Sequence, residues 1–438
     1  MSKRQSNAFV THWQHVLSTA VQQAEALVHS QQRRGKLAVQ TLVQCLVVGC
    51  LMKRQASLSD FATLASQLGV KIHPSSLHER LTARLVMLLA AVFEQCLQQH
   101  VARVKLPVAR LASLSAILLI DSTQISVPTV LYEPFAGNGL NAKLKIQVAV
   151  DYLHGHLEMV RCEAGRSPDQ CCDLRPLMRK DALLLFDLGY FKQETLYDID
   201  QAAAFFITRC QSQVAFFDGV QGARVDLMAV LSQHTGDTFE RVVWVGARVR
   251  TGVRVMARRV SDAVASARRR RAHLKAKHQG QTCSTAYLAW LEWEVLLTNL
   301  PPDWGLTEVF ALYGVRWQIE LLFKTWKSQL GLACYGAWSA TRVMCQFYAH
   351  LIGTLLCQNS IAPLRWGQGR ALSVSKSVTQ IQAALPALIQ VIRHHWRGLM
   401  RWTTDLYRAL CQSAQQDTRK TTPGTLQRLM NWGLTQCL

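Results

Sequence analysis

The sequence predicts an α/β protein whose mixed, helix-covered sheet is bracketed by helical regions at both ends and interrupted by a β-rich, cationic segment. Three observations carry this reading. Apolar residues recur at intervals of three and four from residue 6 to residue 111 and again beyond residue 306. Between residues 111 and 210 the pattern contracts to short apolar runs separated by turns. Residues 211–299 combine strand-like stretches with a large excess of Arg and Lys. The division that follows is 1–110 helical, 111–210 first part of the core, 211–299 inserted β domain, 300–365 second part of the core, and 366–438 helical.

In the first region Leu42, Cys45, Leu46, Gly49 and Cys50 mark one helix face. Residues 57–84 have the spacing of a helix-turn-helix: Ala65 and Gly69 close one helix, and Pro74 and Ser75 open a second that runs through Leu77 and Leu81. An ordinary pair of packed helices gives the same pattern. In the core, strands are expected at residues 117–120, 146–150, 157–160, 183–186 and 203–208. Ser167, Pro168 and Gln170 look like a capped helix start, giving a helix through Met178, and residues 192–201 make a second one. The resulting order, β-β-β-α-β-α-β, specifies a mixed sheet with helices on its faces.

Within the insertion, strands are expected at residues 241–245, 250–257 and 293–299. Between residues 241 and 280 there are twelve Lys and Arg, among them Arg248 and the run Arg268, Arg269, Arg270, Arg271, against the single acid Asp262. Such an excess points to phosphate binding. The uncharged run 343–364 contains Gln346, His350, Gln358, Asn359 and Pro363, which suits a buried helix better than a membrane span. Helices at 379–393 and 402–412 end the chain.

Composition narrows the function. Forty-nine per cent hydrophobic residues exclude a disordered chain, and a formal charge of +21 calls for a polyanionic partner, nucleic acid first. The thirteen cysteines, Cys437 among them, contain no Cys-x-x-Cys pair. Reduced, packed thiols fit a cytoplasmic protein, and residues 1–22 lack the apolar core of an export signal.

Two acids stand out. Asp121 directly follows the apolar run Ile117, Leu118, Leu119, Ile120, and Asp187 follows Leu183, Leu184, Leu185, Phe186. Strand carboxyl ends are where open α/β sheets bind ligands, and two carboxylates there call for a hard cation such as Mg²⁺. Taken singly, either Asp is an ordinary turn former. A third acid, Glu320, lies on a segment where Arg316, Glu320, Lys324 and Lys327 share nearly one azimuth and Ile319, Leu322, Phe323 and Trp326 form an apolar flank. A solvated helix with salt bridges one turn apart would look the same.

Tyr313, Arg316, Glu320 and Lys327 match the Tyr-x2-Arg-x3-Glu-x6-Lys signature of bacterial insertion-sequence transposases of family four. Asp121-Ser122-Thr123 and Asp187-Leu188-Gly189-Tyr190 resemble that family's other two acidic motifs. The chain thus resembles a DDE transposase over residues 117–332. The resemblance implies an RNase H-like core in which Asp121, Asp187 and Glu320 ligate two divalent ions, Mg²⁺ or Mn²⁺. It implies hydrolysis at transposon ends, then transfer of the freed 3′ hydroxyl into target DNA. It also implies that Tyr313, Arg316 and Lys327 position DNA phosphates, with Lys324 beside them. The partners implied are terminal inverted repeats, target DNA and further copies of the chain in a dimer or larger assembly, without a membrane; the location is cytoplasmic and nucleoid-associated.

Two departures stand against the pattern. Leu188 replaces an Arg common in the family after the second acid, and the Trp that stacks on a flipped base has its place taken by Glu294, with Trp293 one residue away and on the opposite strand face. Trp293 keeps a stacking role only if a bulge corrects the register. Two alternatives stay open: an RNase H-like nuclease without strand transfer, and a non-catalytic DNA-binding regulator.

Overall fold

The computed structural model describes residues 11–27, 37–98, 105–106, 108–246, 249–336, 339–366 and 368–417. Residues 1–10, Arg248 and Cys437, which figured in the expectations above, lie outside the described residues. The chain forms two compact units, one from Met1–Leu111, Ser122–Ser167 and Gln318–Leu438, the other from Ala112–Asp121 and Pro168–Trp317. Neither unit is a continuous stretch of the chain.

The first unit is largely helical. A π turn at His15–Thr19 leads into α1 (Ala20–Leu27), followed by α2 (Val39–Met52), α3 (Leu58–Gln67), α4 (Pro74–His78) and α5 (Ala83–Gln98). The expected face of α2 is buried, and so are Val43, Val47, Val48 and Leu51, because neighbours surround the helix. Gly49 permits the closest approach: a Cβ there would lie 2.7 Å from the Phe61 ring of α3.

Ser57 and Asp60 form a capping box at the start of α3, and Gly69, at φ +91°, ends it in a left-handed turn. Val70 N–H donates to Ala65 C=O at 2.9 Å and Gly69 N–H to Ser66 C=O at 3.0 Å, the paired bonds of a Schellman stop. Both expected helices are therefore present, but the second stops at His78, short of Leu81.

Downstream in this unit lie the antiparallel strands β2 (Lys143–Asp151) and β3 (His156–Ala164) and the long helix α12 (Ala340–Arg365). As expected, α12 is buried along most of its length. Among the described residues no helix is long and apolar enough to cross a membrane. The expected closing helices are α13 (Val374–Arg393) and α14 (Leu399–Ser413).

The second unit holds most of a mixed sheet. Strand β1 (Ala116–Ser126) starts in this unit and ends in the first. From β1 the order runs β4 (Ala182–Phe186), β5 (Phe205–Arg209), β10 (Trp293–Thr298), β9 (Thr251–Arg259), β8 (Thr238–Val245), then the short β6 (Phe216–Phe217) and β7 (Arg224–Val225). Strands β1, β4 and β5 are parallel, with α6 (Gln193–Gln201) crossing from β4 to β5. Parallel central strands joined by a helical crossover, with the antiparallel β2–β3 pair between β1 and β4 in the chain, fit an RNase H-like α/β fold.

Two expectations are corrected here. No α-helix follows Ser167-Pro168; the chain makes two 3₁₀ turns, Asp169–Cys171 and Arg175–Leu177. Asp173 Oδ1 accepts from the Arg175 backbone N–H at 3.1 Å, and Pro176 has no N–H to continue a helix, so local bonds win. Nor is 211–299 a separate β domain. Strand β10 pairs antiparallel with β5, so its strands extend the core sheet, and it also contains helices α7 (Leu227–Gln233), α8 (Asp262–His278) and α9 (Thr285–Trp290).

Candidate active site

The apolar run before each Asp makes a central strand, with Ile117 to Ile120 and Leu183 to Phe186 fully buried. Their register sets the acids' positions. Leu119 pairs with Leu185, an offset of 66, and the same offset carries Asp121 to Asp187. Phe186 pairs with Thr208, an offset of 22, which carries Asp187 to Arg209. Continued by one or two residues, that register brings Asp121 within β1, Asp187 just past the end of β4 and Arg209 at the end of β5 to one level of three adjacent parallel strands, and the carboxyl ends of such strands are where open sheets bind ligands. Asp121 is still inside β1, because the strand runs on to Ser126.

Two helices meet at the signature. α10 (Leu306–Val315) ends at Arg316 and α11 (Trp317–Ser328) follows directly. Tyr313 and Arg316, three residues apart, share a face. Arg316, 8% exposed, donates from Nη1 to Asp121 Oδ2 at 2.9 Å. Tyr313 donates from its hydroxyl to Asp187 Oδ1 at 3.4 Å, a long bond. Burial, reinforced by the Asp187 carboxylate, raises the Tyr313 phenol above its usual range, so it remains a donor. The guanidinium carbons of Arg209 and Arg316 each lie 5.8 Å from the centroid of the Tyr313 ring. Both aspartates thus contact signature residues.

Beyond Asp187 the chain makes a 3₁₀ turn, Leu188–Tyr190. Gly189 is required there by crowding, since a Cβ would come 2.9 Å from Asp169 Oδ2. Glu320 occupies the first turn of α11 and belongs to the first compact unit, whereas both aspartates belong to the second. On α11 the expected apolar flank is present, with Ile319, Leu322, Phe323 and Trp326 all buried. Lys324 is exposed; Lys327 is half-buried, and burial lowers its pKa.

The cationic insertion divides. Arg254 pairs with Glu240 at 2.6 Å, Arg258 with Glu294 at 2.7 Å and Arg259 with Glu292 at 2.8 Å. On α8, Arg268 donates to the Trp293 carbonyl at 2.9 Å and Arg269 pairs with Glu292, while Arg270 and Arg271 are exposed. Arg268 and Arg269 are therefore fastened to the sheet. Trp293 lies in the core. The residue is 3% exposed, with the Arg259 guanidinium 4.5 Å from its ring centroid and His234 beside it.

Sequence reasoning missed Arg209 and Trp317. The run ending in Arg209 has the same form as those ending in Asp121 and Asp187, an apolar strand closed by a charge. Trp317 is 56% exposed on the turn that carries Glu320, and no apolar periodicity explains it.

Residues 112–352, more than half of the chain, match the family model of the transposase DDE domain. The chain belongs to the DDE transposase family. Over 406 residues the transposase is 27% identical to the transposase for insertion sequence element IS231F of Bacillus thuringiensis subsp. israelensis, covering 84% of each chain. It is 25% identical over 407 residues to that for IS231E of B. thuringiensis subsp. finitimus, covering 85% of each. A more distant relative is the transposase for IS1151 of Clostridium perfringens, 22% identical over 273 residues, covering 55% of this chain and 56% of that one. Among solved structures, a piggyBac transposase synaptic complex with hairpin DNA aligns with 99% of this chain and 89% of its own at 10% identity and a TM-score of 0.47.

Proposed function

We propose that Asp121, Asp187 and Glu320 form the acidic triad of this transposase and that it cuts the ends of its own element and joins them to target DNA. The observation that carries the reading is the parallel register of β1 with β4, whose offset of 66 at Leu119 and Leu185 is also the offset between Asp121 and Asp187. The donor set fits a pair of hard divalent ions, Mg²⁺ or Mn²⁺, because it consists of carboxylates and the facing residues are proton donors rather than softer ligands. When bound, such ions sharpen the attacking oxygen and stabilise the leaving one.

The chain's own residues orient the DNA. Arg316 offers a planar fork suited to a phosphate, and Arg209, at the level of the acids, supplies a second guanidinium to the same place. Tyr313 holds Asp187 through a hydroxyl that stays protonated, and its ring lies 5.8 Å from the guanidinium carbon of each arginine. Lys327 and Lys324 on α11 supply point charges along the strand, and the exposed Arg270 and Arg271 on α8 extend the phosphate track. The exposed Trp317 is the aromatic surface available to an unstacked base in place of Trp293. Terminal inverted repeats are the specific DNA partner, and bringing two ends together calls for a second copy of the chain; a protein of this kind works in the cytoplasm, on the nucleoid. Residues 1–110, with the pair α3–α4, are proposed to contribute to DNA binding.

The test is substitution of each acid by its amide. Asp121→Asn, Asp187→Asn and Glu320→Gln are expected to abolish Mg²⁺-dependent cleavage of end DNA while end binding persists in a gel-shift assay. Nicking at wild-type rate by any one of them would remove that residue from the triad.

A further inference from the structure

A second group of metal-capable side chains lies apart from the acids discussed above, at the turn joining β2 to β3. Asp151 ends β2 and pairs across the strands with His156, the first residue of β3. The register then slips, because Val150 pairs with Leu157 while Ala149 pairs with Met159, and Glu158 is the extra residue. A bulge of this kind re-aims a side chain, here setting Glu158 beside His156. One ligand atom from each of Asp151, His156 and Glu158 lies within 4.8 Å of the other two. His156 Nε2 and Glu158 Oε1 are 3.2 Å apart.

The turn is held rigidly. The Asp151 side chain has no exposure; its Oδ1 accepts from the Leu153 N–H at 2.9 Å and the His154 N–H at 3.2 Å, and its Oδ2 faces His154 Nδ1 at 2.7 Å. Gly155, at φ +76°, sits against the Trp366 ring too closely for any Cβ, and its carbonyl accepts from Gln358 Nε2 at 3.1 Å. Trp366 in turn donates to the Tyr152 carbonyl at 2.6 Å. A hydrogen-bonded carboxylate and a clamped hairpin are the supports that metal ligands generally have.

We infer that Asp151, His156 and Glu158 form a binding site for one divalent transition ion of the Zn²⁺ type, with His154 holding Asp151 in place. The mixed nitrogen and oxygen donors suit Zn²⁺ rather than Mg²⁺, which prefers oxygen alone. Ligands about 2.0–2.2 Å from a tetrahedral ion stand roughly 3.3 Å apart, close to the 3.2 Å between His156 Nε2 and Glu158 Oε1. Three protein ligands leave the fourth position to solvent. The ion would cross-link the end of β2 to the start of β3, independently of the cleavage reaction.

The experiment uses the full-length protein stripped with a chelator and titrated with Zn²⁺, with Co²⁺ as the spectroscopic probe. Expected is one Zn²⁺ per chain, an affinity at least about tenfold weaker in both His156→Asn and Glu158→Gln, and no change in Asp187→Asn. Zn²⁺ should raise the Tm of the parent protein and not that of Glu158→Gln, which is isosteric and keeps the fold. The Co²⁺ form should lack thiolate charge-transfer absorption. Unchanged affinity in both variants, absence of stoichiometric binding, or a thiolate band placing the metal on the cysteines would each overturn the site and leave His156 and Glu158 as a simple ion pair.

Discussion

Asp187 directly follows β4 and Arg209 ends the neighbouring parallel strand β5: the register pairs Phe186 with Thr208, and the next residue along each is the acid and the cation. A guanidinium at that level faces the place where phosphate must sit if the acids cut DNA. Arg209→Ala is expected to slow end cleavage about tenfold to a hundredfold, the size of a lost charge-assisted contact of roughly 1.5–3 kcal/mol, with Arg209→Lys recovering part of the loss. Single-turnover cleavage measures this. A variant that melts normally and cleaves at the parent rate would remove Arg209 from the site.

The four arginines of α8 should separate into two pairs. Replacing Arg270 and Arg271 by Ala should leave the Tm nearly unchanged and flatten the logarithmic dependence of DNA affinity on salt by about one to two units, near 0.9 per phosphate contact. Replacing Arg268 and Arg269 should lower the Tm, because their bonds to the Trp293 carbonyl and Glu292 hold α8 to the sheet. The opposite pattern would reverse the assignment.

The two tryptophans should also behave differently. Trp293→Ala opens a cavity under Arg259 and His234 and is expected to cost about 3–5 kcal/mol in denaturant unfolding. Trp317→Ala, at an exposed position, should leave unfolding unchanged and weaken capture of end DNA. Equal effects on stability would contradict the burial difference.

Acid should weaken the first unit through two buried imidazoles. Burial lowers the pKa of His12 to about 3 and that of His350 to about 4, below the ordinary 6.5. The unfolded chain therefore binds more protons than the folded one between those values, so the stability these groups contribute is complete above pH 6.5 and is lost as pH falls toward 4 and then 3. Each tenfold loss of proton affinity on folding corresponds to about 1.4 kcal/mol. Asn359 Nδ2 lies 3.2 Å from His12 Nε2, a bond that requires the neutral ring. His350→Leu should flatten the fall of Tm across this window, and a fall as steep as the parent's would count against the assignment.

Much of this was legible along the chain because the signals are local. An apolar run closed by an acid marked β1 and β4, and a helical azimuth grouped Arg316, Glu320, Lys324 and Lys327. What was not legible depends on partners across strands. Glu292 and Glu294 lie outside the window in which the positive charge was counted, yet β10 places them beside β9, where they pair with Arg259 and Arg258. The level shared by Asp187 and Arg209 likewise follows from pairing, which no single run reveals. The helix expected after Ser167 failed for a local reason, the combination of Asp173 and Pro176 downstream of its cap.

The first unit also joins the two extremes of the chain. Trp13 Nε1 donates to Ser360 Oγ at 3.0 Å across 347 residues, and Gln346 Nε2 on α12 donates to the Ala56 carbonyl across 290. During synthesis the amino-terminal helices must therefore wait, with apolar surface uncovered, until α12 has left the ribosome. A nascent chain in that state is a natural client for chaperones, and premature termination before residue 340 should yield an insoluble fragment rather than a free DNA-binding module.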